Sequence, residues 1–204
     1  GTAEKVTYFI ENHPAEVHKA LERLVESNFN YLDALVNEAH VDGIFFASQY
    51  MSRRVITPEH YDAFCTPYDT PVLERIKGKT WFNVMHVHGE SDLMFDKCLD
   101  YAVQAFSWEN CAPGVPEESI SSVKKVRSMT DKLLVTGLAR HHDYYSATND
   151  RNELKERFRR RLLTVLEESG DKRVVFAPGC ALPMDVDRYV FTLMKEVVLE
   201  EGLL

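Results

Sequence analysis

The stretch "TWFNVMHVHGES", residues 80–91, ends an apolar run with two histidines two apart and breaks it at once with glycine and polar residues. Side chains alternate along an extended chain, so His86 and His88 leave one face while Val87 leaves the other. Two imidazoles on one face at a strand's end can grip a metal together. Alternatively, each is a polar side chain satisfied by its neighbours. The segments around this strand bear on both the fold and that choice.

Before it, Pro14 suits the first turn of a long helix reaching about His40, with Val17, Leu21, Leu24, Tyr31, Leu35 and Ala39 near helical spacing. "DGIFFAS" (42–48) then reads as a buried strand, and "TPEHYDAF" (57–64) as a helix capped by Thr57, with Pro67 and Pro71 interrupting the pattern before it resumes toward Lys77. After the 80–87 strand the alternation continues. It gives a helix near 91–101, a strand at "AFSW" (105–108), a helix near 117–128, a strand at "LLVTGL" (133–138), a helix near 150–169, the strand "RVVFAPG" (173–179) and a last helix. Apolar strands separated by helices imply parallel β/α units and one α/β domain over residues 1–204. Five strands are clear and "VTYFI" (6–10) adds a sixth, whereas a closed (β/α)₈ barrel has eight strands and about 250 residues. The expectation is an open α/β sheet, or a partial barrel without its first strands.

Composition bounds the partners. The chain has 204 residues, 45% hydrophobic and 27% charged, with a formal net charge of -8. Nucleic-acid binding is dominated by cations that neutralise phosphates, so an acidic chain argues against that partner. The one basic cluster, "KERFRRRLL" (155–163), lies on a helical pattern with Phe158, Leu162 and Val165 on one face, which makes Arg157, Arg160 and Arg161 a solvated edge. Four dispersed cysteines, no signal peptide and no run of 18 apolar residues fit a reducing cytoplasm, with no membrane span and no disulfides. The opening Gly1-Thr2, without an initiator methionine, reads as a cut point or a cloning scar.

In either architecture chemistry gathers where parallel strands end. Those ends carry Ser48-Gln49, His86 with His88, Glu109, His141-His142-Asp143 and Cys180. Imidazole, carboxylate and thiolate together suit zinc, which takes three protein ligands in catalytic sites and leaves a position open. His86, His88 and Cys180 would supply three, and Glu109 a displaceable fourth ligand or an acceptor that fixes an imidazole tautomer. The competing use is two hydrogen-bonded histidines in a polar barrel mouth beside a small buried cysteine.

The segments "NHPAEVHKAL", "VDGIFFASQY", "ITPEHYDAFCTPY", "VMHVHGE", "LLVTGLA" and "VVFAPGCALPMDV" occur in an order that resembles the uroporphyrinogen decarboxylase superfamily. This (β/α)₈ group includes tetrapyrrole decarboxylases and zinc-dependent methyltransferases acting on corrinoid proteins. The resemblance covers the later portion of the family barrel, which implies a partial TIM barrel without the arginine-rich opening. It implies that Tyr8 in "VTYF" and Ser48 in "FFAS" contact substrate. Tyr8 and Glu109 are the catalytic candidates, and His141, at its strand end, is a further candidate substrate contact. Cys180 stands where decarboxylases place a histidine, and His88 where the methyltransferase branch has a cysteine. Methionine synthases sharing the barrel carry a glutamate ligand in the interval of Glu109.

Two activities follow. One is a zinc-dependent transferase exchanging a methyl group between a corrinoid protein and a thiol. The other is a cofactor-free tetrapyrrole decarboxylase, and a third reading is a catalytically inert fragment. An incomplete barrel leaves strand edges open, so a homodimer is expected, with "VTYFI" and "DGIFFAS" at or near the interface.

Overall fold

A computed structural model describes residues 2–112, 114–140, 150–171, 173–182, 184 and 186–203. The segment "VTYFI", expected as a sixth strand, is helical. It lies inside α1 (Ala3–Asn12), whose first turn is capped by Thr2 accepting from the Lys5 N–H. β-branched and aromatic residues favour the strand reading, but Val6 and Ile10 stand four apart and bury one stripe against the core, a helical spacing. A second helix, α2 (Pro14–Asn37), follows immediately with Pro14 in its first turn.

Among the described residues five strands form one parallel sheet: β1 (Phe45–Ser48), β2 (Val84–Val87), β3 (Ala105–Ser107), β4 (Leu133–Leu138) and β5 (Val174–Pro178). Each pairs with its neighbour in the sequence, so spatial order equals chain order. Between β1 and β2 lie α3 (Pro58–Phe64) and α4 (Thr66–Ile76), separated only by Cys65, and α4 continues through Pro71 where an interruption was expected. The helix expected near 91–101 reduces to one 3₁₀ turn at Phe95–Lys97, and that near 117–128 to a 3₁₀ turn and the short α5 (Val123–Arg127). The longer α6 (Arg151–Ser169) matches the helix expected near 150–169, and α7 (Tyr189–Glu200) is the last helix, following β5.

The helices cover one face of the sheet. Met85, Val87, Phe106, Trp108 and Leu134 point into that layer and pack with Tyr61, Leu73, Val123 and Val165. The opposite face carries His86 and stands more open: Phe45 is 60% exposed and Val175 44%. Helices on one face, sequential parallel strands and an inward polar cluster at the strand ends are the features of a barrel wall, and the fold is a partial (β/α)₈ barrel. On α6, Phe158, Leu162 and Val165 are buried and Arg160 is exposed as expected. Arg161 is not a solvated edge, because its Nε donates to the Gly137 carbonyl at 2.7 Å. No helix among the described residues is long and apolar enough to cross a membrane.

Candidate metal centre

Strand pairing sets which side chains share the inner face. Ala47 is the partner of His86, and His86 of Ser107. His86 Nδ1 and Ser107 Oγ share a hydrogen bond of 3.3 Å, which fixes the ring and leaves Nε2 for another partner. The Phe45 ring stacks on His86 with centroids 5.5 Å apart, and His88 meets His86 edge to face at 5.7 Å. Burial, aided by the neighbouring His88, pushes the His86 pKa down to about 4. His88 is also lowered, first by burial and then by the Arg140 charge, against the opposing pull of Glu90. Both shifts favour neutral imidazole, the form that ligates metal.

Cys180 reaches these histidines because the sheet curls. It follows β5, three strand steps from β2, and in a flat sheet that separation would be about 14 Å. Nevertheless the ligand atoms of His86, His88 and Cys180 all lie within 4.8 Å of one another. Tetrahedral zinc needs ligand atoms about 3.5 Å apart. A small inward movement would close the group, and two imidazoles with one thiolate suit zinc chemically. Gly179 permits the approach: its N–H donates to Leu138 O at 2.8 Å, and the missing side chain leaves room for the backbone of Trp108 and Glu109.

Glu109 lines the same recess of about 30 Å³ as His86, His88, Arg140 and Cys180 but is not one of the three clustered ligands. One carboxylate oxygen accepts from the Arg140 backbone N–H at 3.3 Å, and the other lies 3.8 Å from the Cys111 thiol. Burial raises its pKa, opposed by those hydrogen bonds. Beside the recess a hollow of about 530 Å³ opens between Phe45, Ala47, Val135, Ala177 and Pro178, with His86, His88, Arg140 and Cys180 also in its wall. One side is apolar and the other holds the donor set.

The remaining sequence candidates lie elsewhere. Tyr8 is on α1, 55% exposed, and lines neither recess nor hollow. Ser48 pairs with Val87 and so faces the helix layer, where it meets Tyr61. His141, with His142 and Asp143, lies outside the described residues. Two site residues were not anticipated. Ser107 could have been found from its two-residue spacing to Glu109 along one strand face. Arg140, at the end of "TGLAR", was passed over for the histidines that follow it.

The fold is similar to that of a methyltransferase from Methanosarcina mazei, with a TM-score of 0.76 and 17% sequence identity over 96% of this chain and 52% of that one. The chain therefore spans about half the length of that protein. No curated protein matches it in sequence. The family model described as uroporphyrinogen decarboxylase (URO-D) matches residues 1–200, and the chain belongs to that family.

Proposed function

We propose that this protein is the metal-binding part of a zinc-dependent methyltransferase that moves a methyl group between a corrinoid protein and a thiol substrate. The observation that carries this reading is the His86, His88 and Cys180 group at the edge of the inner hollow. These three residues would hold the metal, with Ser107 orienting His86. Bound zinc would lower the pKa of a coordinated substrate thiol, supplying thiolate near neutral pH. Glu109, with its raised pKa and its place in the same recess, suits the role of receiving the thiol proton. With zinc and donor bound, methyl transfer to that sulfur would break the donor–methyl bond and leave its electron pair on the donor, so these residues would need only to hold the thiolate in line with the donor. Phe45, Val135 and Pro178 would present an apolar wall to the transferring group.

The decarboxylase alternative needs substrate contacts from Tyr8 and Ser48, and neither borders the hollow. It also needs cations for several carboxylates. Arg140 is the only lysine or arginine in the wall among the described residues. Elemental analysis should find about one zinc per chain, abolished in a His86/His88/Cys180 triple alanine variant. The zinc-loaded protein should demethylate methylcobalamin in the presence of a small thiol, followed by the cobalamin spectrum. Zinc-free protein that decarboxylates a tetrapyrrole would replace this reading with the other.

A further inference from the structure

Arg140 touches three residues of the recess at once. Its backbone N–H holds Glu109, its Nη1 lies 3.9 Å from Cys180 Sγ, and its Nη2 lies 3.5 Å from Glu90 Oε1. The last contact is long and its partner half exposed, so Glu90 compensates the guanidinium only in part. The guanidinium forms part of both the recess and the hollow, and no other lysine or arginine among the described residues does so.

Charge balance gives this position a consequence. A divalent ion that binds the Cys180 thiol displaces one proton, so the site gains one positive charge; if the sulfur is already thiolate, it gains two. Either way the gain occurs beside a fixed cation, and the guanidinium also competes for the same sulfur. A metal held there would be bound less tightly than its three ligands alone would bind it. The same positive charge would favour an anion as a fourth ligand of the loaded site.

We infer that Arg140 is a positioning residue that sets the charge of the metal centre, trading affinity for the metal against affinity of the loaded site for an anionic fourth ligand. Glu90 acts in the opposite sense, as the partial counter-charge. The inference rests on the metal-centre reading above, but not on the methyl transfer. Its distinguishing feature is that one substitution moves two affinities in opposite directions, which simple damage to the site would not do.

The test uses Arg140→Gln, Arg140→Lys and Glu90→Gln. Zinc affinity is measured by competition with a chromophoric chelator, and anion affinity by titrating thiocyanate into cobalt(II)-loaded protein while following its visible bands. In Arg140→Gln zinc should bind about tenfold more tightly and thiocyanate about tenfold more weakly. Arg140→Lys should stay near the parent in both, and Glu90→Gln should shift both in the reverse sense. Zinc and thiocyanate affinities that fall together in Arg140→Gln, or that do not move, overturn the inference while leaving the metal centre standing. Failure of the parent protein to bind zinc through His86, His88 and Cys180 overturns both.

Discussion

Gly179 lies against the backbone of Glu109: a Cβ at residue 179 would fall 2.6 Å from Glu109 Cα and 2.7 Å from Trp108 O. Both obstacles are backbone, so no side chain can swing away to make room. Gly179→Ala must push the end of β5 from the end of β3, carrying Cys180 away from the histidines. We expect a loss of about 1–3 kcal/mol of stability, by analogy with overpacked cores, and weaker zinc binding. A urea midpoint and zinc content equal to the parent's would show that the strand ends do not need this contact.

Ser107→Ala removes the hydroxyl that holds His86 Nδ1. Ligands without their outer partner commonly lose affinity, so zinc should bind about tenfold more weakly while the fold is retained. Chelator competition together with an unchanged circular dichroism spectrum would verify this. Undiminished affinity would mean that packing against Phe45 is enough to orient the ring.

Asp69 introduces a pH dependence away from the candidate metal site. Burial raises its pKa to about 6, opposed by the hydrogen bond that Tyr61 Oη donates at 3.2 Å. A raised folded pKa means that the native state holds the proton more tightly than the unfolded chain does. The stabilisation is complete below the unfolded pKa of 3.8 and is lost as pH rises through about 6. Asp69→Asn should flatten this part of the stability profile and raise the urea midpoint at pH 7 relative to the parent. A profile with the same slope in both proteins would remove Asp69 as its source.

His86 works in the opposite direction in metal-free protein. Its pKa falls from 6.5 to about 4 on folding, so its contribution is present above 6.5 and lost as pH drops toward 4. Imidazole proton shifts in an NMR titration of metal-free protein should therefore show one histidine still neutral near pH 5. All histidines charging above pH 6 would contradict this.

We propose that β1 docks against a second copy of the chain. No strand pairs with its outer edge among the described residues, and the groove beside it is lined by Tyr31, Leu32, Leu35, Ile44, Phe45 and Val72. Tyr31 and Phe45 are mostly exposed. Sedimentation equilibrium should give a dimer for the parent and a monomer for Phe45→Glu. A parent that stays monomeric across a wide concentration range would exclude this association.

Periodicity made the sheet legible because strands buried on the helix side read as apolar runs, and "LLVTGL" appears with the limits expected of it. It failed at "VTYFI", where strand-favouring residues lie in a helix anchored by Val6 and Ile10. It also failed at residues 91–101, where an apolar sequence folds into a turn packed around Phe95. At the site, alternation put His86 and His88 together, but their meeting with Cys180 depends on curl, which no spacing encodes. The face of Ser48 depended on strand register, and the reach of Arg140 on a side chain crossing between strand ends.

Because β1 to β5 stand in space in the order of the chain, each strand can dock on a neighbour already made, and assembly can proceed from one end to the other as the polypeptide emerges. The two histidines are in place after the second strand, but their third partner follows the fifth. A tight metal site therefore cannot exist in any shorter intermediate. The ion, once captured, would tie an early segment to a late one and close a long loop, so that losing it should release β5 and α7 first. Metal retention would in this sense gauge whether β5 has docked.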